Sequence, residues 1–171
     1  MDAINEGDGH AFETLYYRHR DWVVRLAWRL TGNEADALDV LQETFAYLHR
    51  KFPGLELTAR LTTFLYPVVK NLSIQARRKR LRFAGDEEAI ERAEDRPPAG
   101  SALADEDLAA ALRGLSDLHR EAILMRFVDG MSIEEIAAAL KVPEGTIKSR
   151  LHNAIKALRN DPGAKRYFNQ P

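Results

Sequence analysis

The chain has 171 residues, 45% of them apolar and 30% charged, with a formal net charge of −1 and no cysteine. That length suits one ordinary domain or two small ones, and the apolar share can supply a core. Disulfides and thiolate metal sites are excluded, and no window holds the roughly 18 uninterrupted apolar residues that a membrane span needs.

The first residues, MDAINEGDGH, are acidic and polar rather than basic and then apolar as in a secretory signal, so a cytoplasmic location is expected. Charge is segregated along the chain. Lys70 to Arg82 carries six basic residues and no acid, whereas Asp86 to Asp107 carries nine acids against Arg92 and Arg96. Local fields decide what a surface attracts, so a near-neutral total does not argue against a polyanionic partner.

Helical periodicity dominates, and no run alternates like a strand. The first helix is predicted over about Asp8 to Leu30, with Phe12, Leu15, Tyr16, Val23, Leu26, Ala27 and Leu30 on one side, and Thr31-Gly32 stops it. Asn33 then reads as an N-cap with Asp36 in the first turn. The helix it opens places Ala37, Val40, Leu41, Phe45 and Leu48 at three- and four-residue steps. Lys51 to Gly54 ends that helix. After a loop to about Thr62, Thr63 is expected to cap a third helix reaching about Phe83, where Pro67 costs little if the helix begins there and kinks it if the helix begins earlier. These three helices predict a bundle whose core includes Phe12, Tyr16, Phe45 and Leu48.

Residues 84–104 read as a flexible acidic linker, punctuated by Gly85, Pro97, Pro98, Gly100 and Ser101 and poor in large apolar side chains. The second half begins a helix near Asp105 and another at Ser116, reaching Phe127. Ser132 with Glu135 three residues on is a capping box, and Ile133, Ile136, Ala137 and Leu140 form the stripe behind it. Pro143 suits the first position of the next helix, which runs to about Asn160. The tail, 161–171, has no usable periodicity. The expected architecture is all-α, with two small helical domains at 1–83 and 105–160.

Two helices joined by a few residues, Ser132 to Lys141 and about Pro143 to Asn160, have the spacing of a DNA-binding helix-turn-helix. On a 3.6-residue wheel Ile147, Leu151, Ala154, Ile155 and Leu158 share one side. Ser149, Asn153, Lys156 and Asn160 lie opposite, beside Thr146 and His152, with Lys148, Arg150 and Arg159 at the flanks. No acid follows Glu144 on that face, whereas a merely solvated face mixes both signs. Hydroxyls, an amide and cations at this place match base edges and phosphates in a major groove. The five histidines are scattered, so neither a catalytic constellation, a metal set nor a cofactor site is expected.

EEIAAALKVPEGTIKSRLHNAIKALR resembles region 4 of the sigma-70 family, the part that reads the −35 promoter element, and LSDLHREAILMRFVDGMSIEEIA resembles the helices leading into it. DALDVLQETFAYLHRKF is similar to the region 2 helix that docks on RNA polymerase, and TFLYPVVKNLSIQARRKR to the helix that opens and reads the −10 element. Length, order and a short linker in place of a third domain resemble the extracytoplasmic-function (ECF) group. The resemblance implies −35 contacts from Thr146, Lys148, Ser149, Arg150, His152, Asn153 and Lys156. It implies −10 contacts from Tyr66, Lys70, Asn71, Arg77, Arg78 and Arg80. Asp39, Gln42 and Glu43 correspond to the contact with core polymerase. The implied partners are the β′ clamp helices and β flap of that core, promoter DNA and an anti-sigma factor. Phe64 stands where the family usually has tryptophan, Pro67 where a basic residue is common, and Gln75 where it has an acid.

Two other readings compete. A dimeric helix-turn-helix regulator on duplex DNA accounts for 132–160 but not for the basic helix at 70–82 or the acidic second helix. The other is a helical interaction protein that binds no DNA, a degenerate sigma-like regulator for which the outward face of 144–160 is a basic solvated surface.

Overall fold

The computed structural model describes residues 2–85 and 106–168, which form two compact units. The expected linker falls almost wholly outside the described residues. Among the described residues no helix is long and apolar enough to cross a membrane.

The first unit contains helices α1 (Asp2–Asn5), α2 (Gly9–Thr31), α3 (Glu34–His49) and α4 (Leu61–Phe83). Side chains decide where α2 and α3 begin. Asp8 Oδ1 accepts the amides of His10 and Ala11 at 2.9 and 3.1 Å, and Asn33 Oδ1 accepts that of Asp36 at 2.9 Å. These bonds satisfy amides that no helical carbonyl can reach. Gly32, at φ 65°, closes α2 by donating to the Trp28 carbonyl, a backbone conformation that glycine adopts without a Cβ clash.

Val23, Leu26, Ala27, Val40, Leu48, Leu65 and Val69 fill the space between α2, α3 and α4, each at most 2% exposed. A buried Leu or Val contributes about 1.5–3 kcal/mol through the hydrophobic effect. Toward one end aromatic rings take over. Phe12 meets Phe45, His49 and Phe52 edge-on, and Tyr16 meets Phe45 at 4.7 Å between centroids.

The start of α4 departs from expectation. Thr63 is not a cap: the helix begins at Leu61 after Arg60, which makes no side-chain capping bond, and Thr63 is buried. Pro67 therefore lies inside the helix and has no N–H to return to the Thr63 carbonyl, so one rung is missing there. The additional helix α1 holds the loop before α4. Asn5 Oδ1 accepts the amides of Gly54 and Leu55 at 2.7 and 3.1 Å, and its Nδ2 donates to the Leu55 carbonyl at 3.2 Å.

The second unit contains α5 (Glu106–Gly114), α6 (Asp117–Phe127), α7 (Ile133–Leu140), α8 (Glu144–Asn160) and α9 (Lys165–Phe168). The capping box at Ser132 and Glu135 forms in both directions. Ile136, Ala137 and Ala139 are the buried residues of α7, while Ile133 and Leu140 are only half-buried. Lys141 turns the chain in the left-handed conformation, at φ 55°. Pro143 is the N-cap of α8 rather than its first residue.

The tail adds to this unit up to residue 168. Asp161 Oδ1 accepts the amides of Gly163 and Ala164 at 2.9 and 3.1 Å, and Ala164 is fully buried. A Cβ on Gly163 would stand 3.3 Å from Asp107 Cβ, so this turn lies against the start of α5.

Candidate nucleic-acid interface

In the second unit α8 is held by its own apolar stripe. Ile147 and Ala154 are fully buried, Leu158 is 4% and Leu151 8% exposed, and Ile155 is half-buried. Anchoring that side leaves the opposite one outward, because residues three and four apart share a face. Lys148, Ser149, His152, Asn153 and Lys156 are all exposed, and Thr146 and Arg150 are half-buried at the edges. The structure thus brings all seven residues of the expected −35 set onto one helix face. Glu144 tempers its charge, with Oε2 3.5 Å from Lys148 Nζ across one turn, and the Lys148 charge also reaches Glu134 at the start of α7. Two exposed side chains hold such a pair weakly, so a phosphate can displace it. The surface offers donors, hydroxyls and cations over about three turns of helix.

In the first unit the expected −10 residues divide. Asn71 is exposed, and Lys70, Arg77 and Arg78 are half-buried along α4. Burial, and next the neighbouring charge of Arg80, push the Arg77 guanidinium below its usual range, though an arginine so placed stays charged. Two members of the set do something else. Tyr66 is 2% exposed and packs in the core, so its ring has no face to offer a base. Its helical stripe with Leu65, Val69 and Ser73 signals that burial. Arg80 directs its fork inward, with Nη1 3.1 Å from Asp36 Oδ2 and Nη2 donating to the Thr31 carbonyl at 3.1 Å. Phe64 is half-buried and stacked on Tyr47, 6.3 Å between centroids.

Asp39, Gln42 and Glu43 are exposed together on α3. Leu38 beside them is 45% exposed, an apolar element that charge patterning alone does not pick out. Between this edge and α4 runs a groove of about 140 Å³ lined by Asp39, Val40, Glu43, Leu72, Gln75, Ala76 and Lys79. Its lining sets two acids and the Lys79 ammonium around the apolar Val40, Leu72 and Ala76. A second groove, of about 290 Å³, is lined by Ile4, Ala11, Thr14, Leu15, Arg18, His19, Leu57 and Leu61. Burial there, and then the charge of Arg18, lower the His19 pKa.

Comparison with known proteins covers both units. Residues 15–83 match the family model for sigma-70 region 2, and residues 105–158 that for sigma-70 region 4. The ECF RNA polymerase sigma factor SigL of Mycobacterium tuberculosis is 38% identical over 152 residues, 85% of each chain. SigE of Mycolicibacterium smegmatis, also an ECF RNA polymerase sigma factor, is 34% identical over 159 residues, covering 88% of this chain but 61% of its own length. Among solved structures the sigma factor RpoE of Bartonella quintana, crystallised with the anti-sigma factor NepR, superposes with a TM-score of 0.65 at 26% identity. That match covers 87% of this chain and 94% of the other. With both regions matched in order, the chain belongs to the sigma-70 family, in its extracytoplasmic-function group of RNA polymerase sigma factors.

Proposed function

We propose that the chain is a dissociable promoter-recognition subunit that binds core RNA polymerase in the cytoplasm and directs it to promoters with two separated elements. The observation that carries this reading is the outward face of α8, where Lys148, Ser149, His152, Asn153 and Lys156 stand exposed with no acid after Glu144. In the −35 element Thr146, Ser149, His152 and Asn153 meet base edges, and Lys148, Arg150 and Lys156 meet phosphates.

In the first unit Lys70, Asn71, Arg77 and Arg78 track the −10 element as it opens, because separated strands need cations along the backbone. Asp39, Gln42 and Glu43 with Leu38 dock on the β′ clamp helices, and the second unit meets the β flap. Joining two weak contacts in one chain makes the second intramolecular, so each is strengthened by the other. The chain supplies recognition, and the polymerase core supplies nucleotidyl transfer. An anti-sigma factor is a further partner, on the precedent of the Bartonella quintana complex.

Run-off transcription tests the reading. Core enzyme with this chain should yield discrete transcripts from genomic fragments, including the chain's own upstream region, that core alone does not make. A chain that binds palindromic duplex DNA as a dimer and never co-purifies with core polymerase would instead be a conventional regulator.

A further inference from the structure

Arg80 belongs by sequence to the basic run of α4, yet its guanidinium is engaged within the protein. Nη1 lies 3.1 Å from Asp36 Oδ2 and Nη2 donates to the Thr31 carbonyl at 3.1 Å. Both partners sit on backbone held by local hydrogen bonds. Thr31 is the last residue of α2 and fully buried, and its carbonyl is one of those that a helix end leaves without a partner. Its hydroxyl donates to the Asn33 carbonyl at 3.0 Å and accepts the Asn33 amide at 3.3 Å, which stiffens the corner. Asp36 sits in the first turn of α3 with its amide bonded to Asn33 Oδ1. The corner thus presents the carbonyl at the negative end of α2 beside the Asp36 carboxylate, and one guanidinium reaches both, hydrogen-bonding the carbonyl and ion-pairing with the carboxylate without an aligned hydrogen bond to Oδ2.

We propose that Arg80 is a positioning residue, a strut that holds the promoter-opening helix α4 in register with the polymerase-docking helix α3, and not a DNA contact. The inference rests on the promoter reading above. Asp36 is three residues from Asp39 on α3, and Arg80 is nine residues from Asn71 on α4. At about 1.5 Å per residue Asn71 stands roughly 13 Å from Arg80 along a rigid helix, so a tilt at Arg80 is carried to it. Lysine has one ammonium and cannot reproduce the fork, so charge alone is not enough.

The test uses holoenzyme on a promoter with a fluorescent base analogue in the downstream element, well below the melting temperature of every variant. Arg80→Ala should lower the open-complex fraction several-fold while core affinity and the salt slope of promoter binding stay as in wild type. Asp36→Ala should match it, and the double variant should be no worse than either, since both remove one coupling. Arg80→Lys should recover little, because one ammonium does not reach the Thr31 carbonyl and the Asp36 carboxylate as the fork does. A fall of about one unit in salt slope for Arg80→Ala, with Asp36→Ala leaving opening unchanged, would make Arg80 a phosphate contact and overturn the strut. Unchanged opening with only a lower melting temperature would also overturn it. Wild-type holoenzyme that opens no promoter would overturn the promoter reading and the strut with it.

Discussion

Ser132 and Glu135 cap α7 reciprocally: the Ser132 amide donates to Glu135 Oε2 at 2.7 Å, and the Glu135 amide donates to Ser132 Oγ at 3.2 Å. The box fixes where the first helix of the helix-turn-helix begins, and so how α8 is presented. Ser132→Ala should cost about 1 kcal/mol, which for a unit this small is a midpoint shift of about 4–8 °C. Thermal unfolding followed by circular dichroism measures it.

Arg120 is 4% exposed and pairs with Asp117, while its Nη2 donates to the Leu115 carbonyl at 3.4 Å. A buried cation stripped of its partner is costly, whereas an apolar side chain of similar size is often neutral. Asp117→Ala should therefore destabilise the second unit by about 1–3 kcal/mol, discounted because Asp117 is half exposed, and Arg120→Met by less. Chemical denaturation of the two variants ranks them, and the reverse order would remove the pair's assigned role.

His19 gives the first unit a pH dependence. Burial, and secondarily Arg18, lower its folded-state pKa below that of the unfolded chain. As pH falls through about 6.5 the unfolded chain binds a proton that the folded state does not, so stability declines; above that range the contribution vanishes. Trp22 and Trp28, the two tryptophans of the chain, both lie in α2, so their fluorescence reports this unit alone. Urea midpoints between pH 7.5 and 5.5 should fall in wild type and fall less in His19→Gln.

Asp39 and Glu43 are exposed, so reversing their charge leaves the fold intact. The pair Asp39→Lys with Glu43→Lys should weaken association with core polymerase by about tenfold or more, with an unchanged melting temperature. Native gel or light-scattering titration against core reads the affinity.

Most of the architecture was legible because the decisive signals are local. Asp8, Gly32, Asn33 and the Ser132–Glu135 box lie within a few residues of the helix ends they determine. The start of α4 was not, since Arg60 makes no side-chain capping bond and Thr63 offers a false one. Lys141 turns left-handed without the glycine that usually marks such a turn. In the candidate interface, the face of α8 followed from the wheel because one helix carries it all. Arg80 did not, because its partners lie 49 and 44 positions away and no local pattern records a pairing across the bundle. Leu38 escaped notice for a related reason: an exposed leucine becomes informative only once its acidic neighbours are placed around it.

The most direct test of the whole account is initiation by holoenzyme carrying Lys148→Ala, Arg150→Ala and Lys156→Ala together on a two-element promoter. The account predicts that core binding is retained, that initiation collapses, and that the salt slope of promoter binding drops by about three units, close to one for each cation removed. Undiminished initiation with an unchanged slope would contradict it, for the outward face of α8 would then not be where this chain holds DNA.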